Sequence, residues 1–429
     1  MIDVKLLRSS PGEVRSALAR RGDPKILALL DDTQALDARR RALVAELDGL
    51  KAQRNESARA DAARIKRGKP LTEEEKETRR AHGARISELE EAVRALDAQL
   101  EATLLLVPNL PHADLPDGDA SHNAIVRSWG DPAPAGGPPH WEIGERLGLL
   151  DLPRGARIAG SGFPVFLGAG ARLARGLINF MLDLHTREHG YVEVEPPFLV
   201  RADSLRGTSQ LPKFADELYA IGRDDLYLIP TAEVPVTNLH AGEILDGATL
   251  PRAYTAYTPC FRREAGAAGK DTRGLLRVHQ FDKVELVRLC RPDDSPAELE
   301  AMTGHAEEVL RRLELPYRVV LLAAGDVGFA SAKTYDLEAW APGVGAWLEV
   351  SSASAFTDYQ ARRADIRYRP APRAKPELVH TLNASGLALP RTIAALLETH
   401  CEPDGGVRLP AALAPYVGAD RLPPPAGAA

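Results

Sequence analysis

Leu29, Thr33, Leu36, Arg40, Leu43, Leu47 and Leu50 follow one another at steps of four and three, and so do Ile86, Leu89, Val93, Leu96, Leu100, Thr103 and Val107. That spacing keeps one stripe of a helix turned toward a partner helix. Between the two runs, Arg67-Gly68-Lys69-Pro70 supplies the glycine and proline that reverse a chain. The pattern predicts two long helices folded into an antiparallel hairpin spanning about residues 28 to 107, with a dimerising coiled coil as the alternative. From 108 to 139 the periodicity lapses into Pro, Gly, Asp and Ala, including DPAPAGGPP, and reads as a linker. A helical period returns from Ala169 to His189 through Leu173, Leu177, Phe180 and Met181, and a strand from Tyr191 to Glu195 ends at Pro196-Pro197. The closing RLPPPAGAA, residues 421–429, reads as a disordered tail. The expected domains are therefore 1–107, the linker 108–139, a second domain over 140–420, and the tail.

The densest chemistry lies in Tyr257 to Val287, which reads as strand, long loop, strand. Residues two apart on a strand share a face, so Arg262 and Glu264 are expected to aim into one pocket. A guanidinium beside a carboxylate suits a ligand bearing both a phosphate and an exocyclic amine, as ATP does. Phe281 offers a flat face for a purine, and Glu285 is a second inward carboxylate. Within the loop, Gly266, Gly269, Lys270 and Thr272 imitate a phosphate loop. Two residues instead of four separate the glycines, and Asp271 intervenes before the threonine, so that reading is rejected.

Phe261-Arg262-Arg263-Glu264, the Gly/Arg/Asp loop, and His279-Gln280-Phe281-Asp282-Lys283-Val284-Glu285 resemble motif 2 of the class II aminoacyl-tRNA synthetases, in the form found in seryl-tRNA synthetases. The helix and strand near 169–195 resemble motif 1, which carries a homodimer interface in that family. Asn383-Ala384-Ser385-Gly386-Leu387-Ala388-Leu389-Pro390-Arg391, followed by the apolar run Thr392 to Leu397, resembles motif 3. The resemblance implies an α+β fold: an N-terminal antiparallel two-helix coiled-coil arm plus a catalytic domain of antiparallel sheet flanked by helices. It implies activation of L-serine by ATP to seryl-adenylate, then transfer to tRNA(Ser). Arg262 would bridge the α-phosphate and the substrate carboxylate. Glu264 would take the adenine amine, with Phe281 and Arg391 on the two faces of the ring and Arg263 and Val278 beside it. Glu349, Val350, Ser351 and Ser352 would complete the ATP site, Glu349 and Ser352 also serving magnesium. Thr231, Ala232 and Glu233 would hold the α-ammonium, while Glu285 and Ser385 would meet the hydroxyl. No Cys/His cluster suggests zinc. In the bacterial branch the arm grips the tRNA, which assigns that role to Lys51, Arg54, Arg59, Arg64, Lys66, Arg67, Lys69, Lys76, Arg79 and Arg80.

Charge sharpens one part of this picture. The 429 residues carry a net charge of −6, so nothing in the whole chain advertises nucleic acid. Residues 37–85 nevertheless hold 14 Lys or Arg against 9 Asp or Glu, a local excess of +5. A basic tip on a rigid arm can reach a phosphate backbone. The 3 cysteines, Cys260, Cys290 and Cys401, cannot all pair and lack metal spacing, which fits a reducing cytoplasm. MIDVKLL is no export signal, and no apolar run is long enough for a membrane span.

Several positions depart from the family's usual pattern: Ala384 for Gly, Ala353 and Ala355 for Cys and Asn, Ser209 for Gly, Pro164-Val165 for an aromatic pair, and Thr399 and Cys401 for Asn and Gln. A methyl at Ala384 is expected to press on Ser385 and shift the pocket, which would suit a specialised second copy serving inhibitor tolerance or biosynthetic supply. Two rival readings are an amino acid:carrier-protein ligase, which lacks the arm, and a degenerate regulatory synthetase, which usually loses Arg262 or Arg391. Both rivals conflict with residues present here.

Overall fold

The computed structural model describes residues 1–265 and 273–424. The phosphate-loop imitation at 266–272 and the tail from 425 lie outside them. The chain divides into two compact units: Ile2–Ala19 with Asp23–Pro108, and Met1, Arg20–Gly22 and the chain from Asn109 onward.

In the first unit, helix α1 (Pro24–Lys66) and helix α2 (Glu73–Leu104) form the expected antiparallel hairpin, preceded by short helices at Val4–Ser9 and Pro11–Ala19. Asp23 caps α1 by accepting the Lys25 N–H at 2.9 Å, with Pro24 in the first turn, where its lack of an N–H costs nothing. The reversal places Gly68 at φ 75°. Thr72 then starts α2 with a reciprocal cap: its hydroxyl accepts the Glu75 N–H at 3.2 Å and the Glu75 carboxylate accepts the Thr72 N–H at 2.8 Å. Leu47, Ile86 and Leu89 form a buried cluster backed by Leu43, Leu50 and Val93. Near the base the seam on α1 moves by one residue, since Leu30 and Asp37 are buried whereas Leu29 and Leu36 stay partly exposed. The reason is local: α1 also packs on the preceding short helices, and Asp37 receives Arg8 at 2.5 Å and Arg41 at 3.1 Å.

The second unit is built on an eight-stranded sheet. Its strands are β1 (Ala124–Trp129), β2 (Val192–Glu193), β3 (Arg252–Phe261), β4 (Gln280–Cys290), β5 (Tyr317–Leu321), β6 (Lys333–Ala341), β7 (Ala346–Ala355) and β8 (His380–Ala388). They lie in the order β1-β5-β6-β7-β8-β4-β3-β2. Every pairing is antiparallel except β2 with β3. Alternation along β4 explains the layering. Val284 and Leu286 join one large core with Leu177 and Met181 of helix α3 (Ala169–Arg187), Met302 and Leu310 of helix α4 (Ser295–Arg312), and Ile393 and Leu396 of helix α5 (Leu389–Thr399). Phe281, Lys283 and Glu285 fall on the opposite face by the same two-residue period.

Two expected boundaries need correction. The segment 108–139 is not a free linker, because Ala124–Trp129 pairs with β5 at the sheet edge and buried Asn109 donates to the Phe356 carbonyl at 2.8 Å. Its apolar AIVRSW core is outweighed in composition by the surrounding Pro and Gly. The tail is not disordered from 421, because Arg421–Leu422 pairs with Val407–Arg408 and Leu422 enters the core.

Candidate active site

β3 ends at Phe261, opposite Gln280, and the Arg262 N–H donates to the His279 carbonyl at 2.9 Å. Here the chain leaves strand geometry, with Glu264 in the left-handed region at φ 49°. Arg262 and Glu264 therefore do not share a strand face as expected, since regular alternation stops one residue before Arg262. Both side chains still line one cavity of about 610 Å³ on the sheet face opposite the core helices. The Arg262 guanidinium lies over the Phe281 ring, 5.2 Å from its centroid, and its Nε donates to the Pro230 carbonyl at 3.3 Å. Arg277 forms an ion pair with Glu264, a partner that sequence spacing did not suggest.

From the far side, α5 brings Arg391 in its first turn directly after β8, as the strand-then-helix pattern predicted. Its Nε donates to the Leu276 carbonyl and its Nη1 to the Glu349 carbonyl, both at 3.0 Å. Nη1 also stands 3.6 Å from the Glu349 carboxylate. Val278, Glu349, Val350, Ser351 and Ser352 line the same cavity. Asp336 does too, facing Ser352 across the β6–β7 ladder. Its Oδ1 is buried without a hydrogen-bond partner among the described residues, and burial, aided by the Glu349 charge, pushes its carboxyl up to about 8. Asp336 belongs to Asp336-Leu337-Glu338-Ala339-Trp340, a stretch that fits the family's bacterial branch but carried no expected site role; only the register opposite Ser352 sets it beside the cavity. Glu349, Ser352 and Asp336 together offer the hard oxygens that magnesium takes when phosphates supply its other ligands. Among the described residues, no cluster of three or more His, Cys, Asp or Glu side chains is set to hold a metal unaided.

Thr231, Glu233 and Ser385 occupy another part of the wall. Glu233 is 6% exposed and accepts from the Gln360 amide at 2.6 Å, while the Gln360 carbonyl accepts from Thr381 at 2.7 Å. Burial, then the charge of Glu285, pushes the Glu233 carboxyl up to about 7. Ser385 holds its place through its carbonyl, which accepts from the Ser351 hydroxyl at 2.6 Å.

Three expected site residues are placed elsewhere. Ala232 is fully buried in a neighbouring apolar cluster with Val236 and Val287. Arg263 turns to the Asp216 carbonyl at 3.2 Å, away from the cavity, because adjacent residues beyond the strand diverge. Glu285 is 1% exposed and lies behind the wall, its carboxylate met by the Lys283 ammonium at 2.5 Å and the Asn383 amide at 3.0 Å. Lys283 and Asn383 line the cavity in its stead. The alternation from Phe281 through Lys283 to Glu285 was available to find the lysine.

The departures sort themselves by face. Ala353 pairs with Ala384 across β7 and β8, and both, with Ala355, belong to the core rather than the cavity wall. The expected pressure of Ala384 on the pocket is absent, because its methyl points away from it. Ser209 does line the cavity, at φ 76° and with its hydroxyl buried and unpartnered among the described residues.

An antiparallel sheet of this order, with Arg262 and Arg391 on the wall of its cavity, defines a class II aminoacyl-tRNA synthetase core. Two family models match the chain: tRNA synthetase class II core domain (G, H, P, S and T) over residues 217–400, and Seryl-tRNA synthetase N-terminal domain over residues 1–111. The serine–tRNA ligase of Gemmatimonas aurantiaca is 56% identical over 421 residues, covering 97% of this chain and 99% of that protein. That of Thermomicrobium roseum is 53% identical over 423 residues, covering 97% and 94%. The seryl-tRNA synthetase of Pyrococcus horikoshii, solved as a complex with ATP, matches with a TM-score of 0.93 and 39% identity over 99% of this chain and 100% of that one. The chain belongs to the serine–tRNA ligase family.

Proposed function

We propose that this one cavity holds ATP and L-serine side by side and joins them. A serine carboxylate oxygen attacks the α-phosphorus, the bond to the β-phosphate breaks, and pyrophosphate leaves with the electron pair. The tRNA(Ser) terminal ribose hydroxyl then attacks the seryl carbonyl, and AMP departs. The observation that carries this reading is the position of Arg262. Its guanidinium lies against Phe281 on one side and is tied to Pro230, the residue before Thr231, on the other. A planar fork at that junction suits a phosphate and a carboxylate at once. Phe281 and Arg391 would sandwich the adenine, Glu264 would accept its amine after releasing Arg277, and Thr231 and Glu233 would receive the ammonium, joined by Glu285, which the resemblance set against the hydroxyl but which Lys283 links to the Thr231 seat. Ser385 would meet the hydroxyl. The orphaned Asp336 oxygen beside Glu349 and Ser352 fits magnesium. When bound with ATP, that ion supplies charge neutralisation on the phosphates. Catalysis here is positioning and electrostatics, with no protein nucleophile.

In the arm, Arg54, Arg59, Lys66, Arg67 and Lys69 make no salt bridge among the described residues, in contrast to their paired neighbours. These five are the phosphate contacts we assign to tRNA, read by shape and backbone. A homodimer through α3 and β2, and residence in the cytoplasm, belong to the same proposal. Among the described residues, no helix is long and apolar enough to cross a membrane.

The test is serine-dependent ATP–pyrophosphate exchange without tRNA, run alongside threonine, alanine and glycine. Serine alone should support exchange, and Arg262→Ala should reduce it about 1,000-fold, the scale of about 4 kcal/mol of lost transition-state stabilisation. Equal exchange by the variant would remove Arg262 from its assigned role.

A further inference from the structure

Lys283 stands where a ligand cation would be expected. It projects from β4 into the cavity wall, its side chain 6% exposed, and its ammonium donates to the Thr231 hydroxyl at 2.8 Å while sitting 2.5 Å from the Glu285 carboxylate. Thr231 and Glu285 are two of the three groups assigned above to the α-ammonium of serine. The third, Glu233, is held by Gln360, and its backbone N–H donates to the same Thr231 hydroxyl at 3.2 Å. A primary ammonium of the chain thus fills a seat shaped for a primary ammonium of the substrate. It also covers Glu285, which is why that carboxylate lies behind the cavity wall instead of on it.

We propose that Lys283 is a placeholder for the substrate's α-ammonium: it neutralises the empty seat and leaves it when serine binds, uncovering Glu285. The inference rests on the reading of Thr231, Glu233 and Glu285 as the ammonium seat. Its physical logic is compensation. Two buried carboxylates, Glu233 and Glu285, converge on this seat, Glu233 through its backbone N–H on the Thr231 hydroxyl and Glu285 through Lys283, and an unpaired buried charge is strongly disfavoured. A lysine keeps the free pocket near neutrality without a bound ion. On binding, serine delivers an ammonium to the seat and also brings its own carboxylate, next to the phosphates of ATP. The displaced Lys283, a compact charge on a flexible four-carbon stem, then has new anions within reach. A hydroxy acid would bring the anions without the replacement cation, so Lys283 would stay and Glu285 would remain covered. The device therefore selects α-amino acids over hydroxy acids.

Two measurements decide it. The first is a crystal structure of the protein with a seryl-sulfamoyl analogue of the adenylate. The expected result is the ligand ammonium about 3 Å from the Thr231 hydroxyl, with Lys283 withdrawn beyond hydrogen-bond reach of both Thr231 and Glu285. Ligand bound in the cavity with Lys283 still bridging them overturns the placeholder and spares the reading of the site. Ligand bound with its ammonium away from Thr231 and Glu233 overturns both. The second uses Lys283→Ala, which vacates the seat. Ethylammonium should then act as a competitive inhibitor against serine, raising the KM for serine several-fold at 50 mM while leaving the wild type untouched. If ethylammonium has no effect on the variant, or changes kcat without competing, Lys283 is a structural prop and the inference falls.

Discussion

Charged residues in the arm and in the cavity obey different rules. Along the hairpin, Lys51 meets Glu90, Arg79 meets Asp61 and Arg85 meets Glu46, at 2.7–2.9 Å and with partly exposed side chains. At the cavity, Glu233, Lys283 and Glu285 are almost wholly buried, the last two from one strand and Glu233 from a helix that the fold brings beside it. Exposed pairs are screened and individually weak. Buried charges must be matched one for one. Along the hairpin beyond its base the arm can therefore lose single exposed charges at small cost, whereas removing one buried charge at the cavity leaves its partner unmatched.

That contrast breaks most visibly at Arg391. Replacing it by alanine should lower kcat/KM for ATP in the exchange assay by about 100- to 1,000-fold, equivalent to about 3–4 kcal/mol, while the circular dichroism spectrum stays unchanged. A loss below about fivefold would place Arg391 among the replaceable charges. Next in size is the arm. Changing Arg54, Arg59, Lys66, Arg67 and Lys69 together to alanine should raise the KM for tRNA(Ser) in aminoacylation by about 30-fold or more and flatten its salt dependence. The loss in serine activation should be at least tenfold smaller. Equal losses in both assays would dissolve the division between the regions.

A smaller effect sharpens the electrostatic side. The Glu233 carboxyl, raised to about 7 by burial and then by Glu285, is neutral below that pH and an anion above it. Only the anion pairs with an ammonium, so the KM for serine should rise as pH falls below 7, by up to about tenfold per unit, with little change in the KM for ATP. A flat profile from pH 6 to 8 would exclude Glu233 from the seat. The smallest effect is conformational. Ser209 holds φ 76°, which glycine adopts without strain. Ser209→Gly should raise stability by about 1 kcal/mol in urea titration, and a decrease would mean that its hydroxyl has a structural partner.

The legibility of the sequence follows the same division. The hairpin was readable because a helix repeats its environment every few residues, so Leu47, Ile86, Leu89, Leu96 and Leu100 announced their burial by spacing alone. Only the base misled, where a second packing surface moved the seam to Leu30 and Asp37. In the catalytic unit, motif residues such as Arg262, Phe281, Glu349 and Arg391 were recognisable as a set, and all line the cavity. What spacing could not give was the depth of each side chain. Glu285 lies behind Lys283, Ala232 belongs to a neighbouring core, and Arg263 turns away after the strand ends. Depth depends on side-chain length and on the neighbouring strand's register, as Asp336 opposite Ser352 shows. Short edge pieces such as Ala124–Trp129 and Arg421–Leu422 were hidden by the prolines around them.

The 43 residues of α1 extend roughly 65 Å, and over such a length a bend of five degrees swings the far end by several ångströms. A slender beam resists bending far better when a second beam is braced against it. Arg40 to Asp97, Arg85 to Glu46, Lys51 to Glu90, Arg79 to Asp61 and Arg64 to Glu75 are spaced along the hairpin as rungs of that bracing. Each adds little to the folding equilibrium, but together they narrow the arc the tip sweeps, and with it the volume a long RNA would search before the five cations proposed to bind it met its backbone.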